Sequence, residues 1–333
     1  MRFVVFGAGA IGGVVGACVH QTGHEVALIA RGEHYRAIRD RGLTFERPGE
    51  SMTLEIPIAD SPDALEWSGD EVVLLATKSQ DTADAVAALR AAAPAGVAVV
   101  CLQNGVDNER TALRLFRKVY GAVVMMPTAH LEAGVVQAYG TRGVGVIDVG
   151  RYPIGLDPLA EVVAAAFDEA GISSEARPDV MRFKYAKLIS NLLNAVDAIV
   201  EPGPAGEELT RLAQEEGRAV LMAAGLEFVA EEVNDVIGRW QRLDIQPIEG
   251  RPRAGSSTRQ SFARGASTVE TDYLNGEIVL LGRLHGVPTP INAALCELSD
   301  RHLRERRGLQ TVPAEEVLDY ARRGHYADGS VRR

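Results

Sequence analysis

The sequence predicts an α/β domain followed by an all-α domain, and three observations carry that prediction. Residues 3–31 read as a strand-length apolar run, a glycine-rich turn, a helical stretch and a second apolar run. Short β-like runs then alternate with helical patterns as far as Ala176, as in a parallel sheet with helices on both faces. After Arg177-Pro178 the periodicity is helical. The expected domains are therefore residues 1–177 and 178–333, and 46% hydrophobic residues in 333 allow each its own core.

Phe3-Val4-Val5-Phe6 is the first strand, and Gly7-Ala8-Gly9-Ala10-Ile11-Gly12-Gly13 follows at once. The second strand is Glu25–Ala30, ending at Arg31. This is G-x-G-x-x-G placed where a Rossmann-type dinucleotide-binding fold needs it. Gly7 permits the tight turn, Gly9 lets the backbone approach a pyrophosphate, and Gly12 lets the helix pack on the strand. The unpaired N–H groups at the helix start, around Ala8, Ala10 and Ile11, face the anion. An NAD site would place an acid at the end of the second strand, to hold the ribose 2′-hydroxyl. Arg31 stands there instead, and a guanidinium pairs with a 2′-phosphate, so NADPH/NADP+ is the expected cofactor.

Further strands are expected at Val72–Ala76, Val97–Leu102, Val119–Met125, Val135–Tyr139, Val144–Val149 and Ile172–Ala176. Helices are expected at Thr82–Ala93, Asn108–Leu115 and Pro158–Ala170. Two strand ends carry polar residues on the side where such sheets bind ligands. Thr77-Lys78 follows one; Lys78 is either a cofactor contact or an ordinary surface lysine. Gln103-Asn104-Gly105-Val106 follows another; Asn104 is either functional or half of a common Asn-Gly turn.

In the second domain helices are expected at Val180–Val200, Glu207–Ala224, Val229–Leu243, Asp272–Gly286 and Ile291–Arg306, with a loop at Gln246–Gly255 and a frayed end from Gly324. The first helix carries Lys187, Asn191 and Asn194 amid Leu188, Ile189, Leu192 and Leu193. On a straight helix Asn191 lies about 40° from Lys187 and Asn194 about 20° to the other side. This polar stripe reads either as a lysine general acid flanked by two orienting amides or as a solvated face.

Composition excludes several classes. A formal charge of −10 argues against nucleic acid and anionic membrane as partners. Cys18, Cys101 and Cys296 lack metal-ligand spacing, so no metal is expected, and buried thiols fit a reducing, cytoplasmic setting. The N-terminus reads as a strand and a helix rather than a leader, and no other segment is apolar enough to span a bilayer. The helices Glu207–Ala224 and Ile291–Arg306 could bury an apolar face in a homodimer or within one chain, and both options stay open.

Several separate stretches resemble one family, the ketopantoate reductases, over nearly the whole chain. They are the glycine turn, Ile29-Ala30-Arg31-Gly32, Thr77-Lys78, Gln103-Asn104-Gly105-Val106, Lys187-Leu188-Ile189-Ser190-Asn191 and Glu270-Thr271-Asp272-Tyr273-Leu274-Asn275-Gly276. The run Leu281–Pro290 also looks like the family's C-terminal helix pair. The resemblance implies NADPH-dependent reduction of a small 2-keto acid, 2-dehydropantoate, to pantoate for pantothenate biosynthesis. By the same resemblance Arg31 and Lys78 bind the 2′-phosphate end, and Asn104 sits near the nicotinamide and substrate. Lys187 is the proton donor, Asn191 holds the substrate, and Ser257 holds its carboxylate; Asn194, one residue before the family's second asparagine position, is the nearest amide and a further substrate-binding candidate. Glu270 contacts the substrate or the nicotinamide ribose.

Some readings stay open beside this one. Ser267-Thr268-Val269-Glu270 fits a capping box, and Ser256-Ser257-Thr258 could cap a helix. Ala195 and Ala205 stand where the family usually has asparagines, and one extra residue separates Ser257 from Glu270. These departures touch the substrate side alone. A different 2-keto acid, and a non-catalytic NADP-binding regulator, are the alternatives.

Overall fold

The computed structural model describes residues 1–251, 255–263 and 268–327. The chain falls into two compact units, Met1–Lys184 with Val229–Arg253, and Tyr185–Phe228 with Ala254–Arg333.

In chain order the first unit begins β1 (Arg2–Phe6), α1 (Ala10–Gln21), β2 (Glu25–Ile29), α2 (Gly32–Arg41), β3 (Leu43–Arg47), β4 (Glu50–Leu54) and β5 (Ile58–Ala59). It continues through β6 (Val72–Leu75), α3 (Thr82–Ala92), β7 (Ala98–Cys101), α4 (Asn108–Leu113) and β8 (Lys118–Met125). Then come β9 (Thr128–Ala129), β10 (Val135–Ala138), β11 (Gly145–Arg151), α5 (Pro158–Glu169) and β12 (Ile172–Ser173).

The main sheet has the order β12-β11-β8-β7-β6-β1-β2-β5. From β5 to β8 every pairing is parallel, and β11 joins β8 antiparallel. The order reverses between β1 and β6, which makes the carboxyl ends of those strands the ligand crevice of this fold. Phe3 and Val5 bury into one core with Val14, Leu28 and Phe167, while Val4 and Phe6 bury into another with Val73, Val86 and Leu89. Both faces are covered, which is why the strands read as unbroken apolar runs.

A second sheet, β4-β3-β10-β9, was absent from the sequence reading, as was α2. Its strand β10 packs on α1 where Gly13 leaves room: a Cβ there would lie 2.6 Å from Val136. Val229–Leu243 is corrected as well. It holds a single 3-10 turn (Glu231–Val233) and one short α-helix, α9 (Asp235–Gln241), and it clusters with the first unit rather than the helical one. The cause is electrostatic. Asp148 on β11 is fully buried, and the guanidinium groups of Arg177 and Arg239 both pair with it. Backbone bonds from Arg142 to Leu243 and from Gln246 to Tyr139 hold the segment along the unit.

The second unit is helical, and the division falls inside α6 (Val180–Asn191). Next come α7 (Leu193–Ile199), α8 (Pro204–Ala223), α10 (Ser257–Ala263), α11 (Thr271–His285), α12 (Pro290–Arg304) and α13 (Ala314–Ala327). The apolar faces of α8 and α12 are buried within this unit, through Leu209, Val220 and Leu221 and through Ile291, Leu295 and Leu298. Helix α13 extends past Gly324 to Ala327; the rest of that expected frayed end lies outside the described residues. Among the described residues, no helix is long and apolar enough to cross a membrane. Burial pushes the thiols of Cys18 and Cys296 up to about 12, and Cys101 is fully buried, so all three are poor nucleophiles.

Candidate active site

The first unit assembles a row of sequence-predicted residues along one end of its sheet. Because β2, β1, β6 and β7 are parallel neighbours, their carboxyl ends lie side by side. In that order the row reads Arg31, Gly7, Thr77-Lys78 and Gln103-Asn104. Arg31 is exposed at the start of α2, and Lys78 is half-buried.

The glycines act differently. Gly7 has φ +105°, and its own Cβ would lie 2.7 Å from the Thr77 nitrogen. A Cβ on Gly12 would lie 2.2 Å from the Gly7 oxygen and 2.8 Å from Val5. Gly9 caps α1 with no side-chain hydrogen bond to the first turn, and a Cβ there would meet nothing within 4 Å. Gly7 and Gly12 therefore serve packing, whereas Gly9 leaves open room before uncapped helix N–H groups. That geometry fits a pyrophosphate around Ala10 and Ile11, whereas the Ala8 N–H, which the sequence placed with them, is already spent on the Ile29 carbonyl at 3.1 Å. Gly12→Ala is accordingly expected to destabilise the protein by about 1–3 kcal/mol. Gly9→Ala should melt as the wild type does while binding dinucleotide more weakly. Thermal melts beside fluorescence titration of NADPH check both, and a Gly12→Ala protein with wild-type stability would contradict the packing role.

A buried polar network fixes the next two loops, and the sequence reading missed it. Thr82 donates to the Asn108 side chain at 2.7 Å, and Gln103 donates to Thr82 at 3.0 Å. The Asn104 carbonyl accepts from Asn108 at 2.8 Å and from the Ser79 hydroxyl at 3.3 Å. Asn104 is thus held through its backbone, with its side chain half-buried. Beneath the loop the Lys184 ammonium pairs with the Glu109 carboxylate and donates to the Gln103 carbonyl at 3.1 Å. Burial pushes the Glu109 carboxyl up, and the Lys184 charge pulls it back down. The one local signal for this network was the polar pair Asn108-Glu109 opening a short helix.

In the second unit the polar stripe is interrupted. Helix α6 ends at Asn191 and α7 starts at Leu193, so Lys187, Asn191 and Asn194 do not share one straight helix. The Leu192 N–H reaches back to Ile189 at 3.3 Å, and its carbonyl accepts from buried Asn275 at 3.2 Å. A side-chain donor inserted in this way bends a helix. Lys187 and Asn191 are half-buried, whereas Asn194 is buried beside Ala195. Ala205 is exposed in the first turn of α8.

Glu270 is 5% exposed and occupies the N-cap of α11 with no side-chain hydrogen bond to that helix's first turn. This departs from the capping-box reading, which needs Glu270 inside the helix; Ser267 lies outside the described residues. Ser256, rather than Ser257, caps α10: its hydroxyl accepts from the Arg259 N–H at 3.2 Å. Ser257 opens that helix, and its side chain lies outside what the structure describes.

Comparison with known proteins covers both units. The ketopantoate reductase PanE/ApbA model matches residues 3–153, and the model of that family's C-terminal part matches 179–302. The 2-dehydropantoate 2-reductase of Pyrococcus horikoshii is 30% identical over 311 residues, covering 90% of this chain and 96% of its own. The crystal structure of a PanE/ApbA family ketopantoate reductase from Ralstonia eutropha superposes with a TM-score of 0.77 at 33% identity, covering 92% and 99%. A ternary structure of D-mandelate dehydrogenase with NADH and anilino(oxo)acetate shares the fold, with a TM-score of 0.76 at 22% identity over 92% and 99%.

Proposed function

The chain belongs to the ketopantoate reductase family, and on that premise we propose that it reduces 2-dehydropantoate to pantoate with NADPH. The product feeds pantothenate synthesis, in a cytoplasmic setting that suits three free cysteines. One observation carries the cofactor half of this reading: the row Arg31, Gly7, Lys78, Asn104 across adjacent strand ends. An extended dinucleotide laid along that row meets the Arg31 cation at its 2′-phosphate end, open backbone at its pyrophosphate, the Lys78 ammonium one strand beyond and an amide at its nicotinamide end. NADPH, when bound, supplies the hydride.

The chain's own side chains do the rest. Reduction of a ketone leaves an alkoxide, which needs a proton in the transition state. Lys187 supplies it from its ammonium Nζ. Asn191 and Asn194 orient the keto acid by hydrogen bonding, with Ser257 on its carboxylate and Glu270 on a hydroxyl of substrate or ribose. Holding the carbonyl within reach of Nζ turns proton delivery into an intramolecular step. The strand-end residues of the first unit thus serve the nucleotide, and Lys187, Asn191 and Asn194 of the second serve the substrate.

A second reading keeps the chemistry but changes the acid. Ala195 is apolar and 1% exposed, next to Asn194, so no polar group stands where the family usually has an amide. Kinetics with purified protein decide between the two. NADPH and NADH are each run against 2-dehydropantoate and a series of bulkier alkyl and aryl 2-keto acids. The expected result is the highest kcat/KM for 2-dehydropantoate with NADPH. A bulkier acid ranking first would establish the second reading. Tight NADPH binding without turnover of any keto acid would point to a non-catalytic regulator.

A further inference from the structure

His34 takes no part in the family resemblance, yet its side chain joins the dinucleotide turn to the second sheet. The Gly134 N–H donates to Nδ1 at 2.9 Å, and Nε2 lies 2.7 Å from the Ala8 carbonyl. A ring nitrogen that accepts carries no proton, so the imidazole hydrogen sits on Nε2 and donates to Ala8. Burial and the ring of His130, 4.0 Å away between centroids, hold the side chain neutral by lowering its pKa to about 4. The same ring therefore always offers one donor and one acceptor in this order at neutral pH.

Ala8 is the second residue of the glycine turn. The Ala8–Gly9 peptide is trans, so its C=O and N–H point to opposite sides. Anchoring the Ala8 carbonyl on His34 turns the Gly9 N–H to the far side, at the residue whose surroundings are open. The other end of the link is equally fixed. Gly134 holds φ +85° in the turn before β10, its carbonyl accepts from Thr44 on β3 at 2.9 Å, and a Cβ on it would lie 3.0 Å from Ala37 of α2.

We propose that His34 is a positioning residue of the dinucleotide site, fixing the Ala8–Gly9 peptide plane against the second sheet. The inference rests on the reading of that turn as the dinucleotide site. It gives the β4-β3-β10-β9 sheet a purpose, as the rigid support from which the turn is aimed.

Two substitutions separate the contacts. In His34→Gln the side-chain amide nitrogen reaches where Nε2 sits, which keeps the bond to Ala8. In His34→Asn the amide oxygen falls where Nδ1 sits, which keeps the bond to Gly134 and loses the bond to Ala8. Fluorescence titration of NADPH into full-length protein, with thermal melts in parallel, reads the result. The expected dissociation constant rises about tenfold in His34→Asn and stays near wild type in His34→Gln. His34→Phe, which removes both bonds, should weaken binding at least as much as His34→Asn. Equal affinity in the Asn and Gln variants, or tighter binding by Asn, overturns the proposal. So does equal weakening that follows equal loss of thermal stability, because that marks a structural role alone. Failure of the wild type to bind either NADPH or NADH removes the reading of the turn itself, and this inference with it.

Discussion

Lys187→Ala is expected to lower kcat for 2-dehydropantoate reduction by roughly two to four orders of magnitude, with little change in NADPH affinity. The size of the effect follows from when the lysine acts. An ammonium that protonates the nascent alkoxide interacts more strongly with the transition state than with the bound ketone. Its loss therefore lowers kcat and kcat/KM together and leaves KM nearly unchanged. Lys187→Arg should not restore turnover, because a guanidinium keeps its charge but does not give up a proton at working pH. Asn191→Ala should behave differently, raising KM for the keto acid as well as lowering kcat, because an orienting amide serves the ground state too. Steady-state kinetics with fluorescence titration of NADPH on the same preparations make the test. A Lys187→Ala enzyme within threefold of wild-type kcat would remove Lys187 as the proton donor.

The parts of this molecule that were legible in its sequence are those whose signals are local. The glycine spacing from Gly7 to Gly12 and the apolar strand runs each lie within a few residues of the turn and strands they determine, and Arg31 stands just past β2. Strand β10 was legible as Val135–Tyr139, but the second sheet was not, because β10 pairs with β3 some ninety residues away and β3 is not a pure apolar run. Val229–Leu243 has helical composition but is claimed by buried Asp148, whose need for counter-charge no periodicity reveals. The same holds for the site. Lys187 and Asn191 announce themselves as polar residues on an apolar helix. The break at Leu192 depends on Asn275, and the placing of the Ala8 carbonyl depends on His34; both are long-range bonds. The two units also divide inside the predicted catalytic helix rather than at Arg177-Pro178. That helix serves the first unit through Lys184 and the second through residues one turn later.

Lys184→Met is expected to destabilise the protein by about 3–5 kcal/mol, because it leaves a buried carboxylate without its counter-charge. Lys184 is 4% exposed and Glu109 fully buried, so water cannot take the missing partner's place. The second carboxylate oxygen of Glu109 already lacks a hydrogen-bond partner, as does the side-chain oxygen of Gln103. The pair is therefore held by one cation with little reserve. The pH dependence gives the mechanism a signature. Burial already pushes the Glu109 carboxyl above its usual range, and Lys184 is what pulls it back. Without Lys184 the folded protein holds a proton on Glu109 to higher pH than the unfolded chain does. The variant should accordingly be most stable in acid and lose stability as pH rises from the ordinary carboxylate range through the raised value. The double variant Lys184→Met/Glu109→Gln removes both charges at nearly constant volume and should recover most of the loss, with a flat pH profile. Urea unfolding at several pH values measures all of this as a double-mutant cycle. A double variant no more stable than Lys184→Met would show that packing, not an orphaned charge, is what the lysine supplies. The same preparations test the link to chemistry: the Lys184 ammonium also holds the Gln103 carbonyl, one residue before Asn104. A double variant that regains its fold still lacks that bond, so its kcat should stay below wild type while its stability returns.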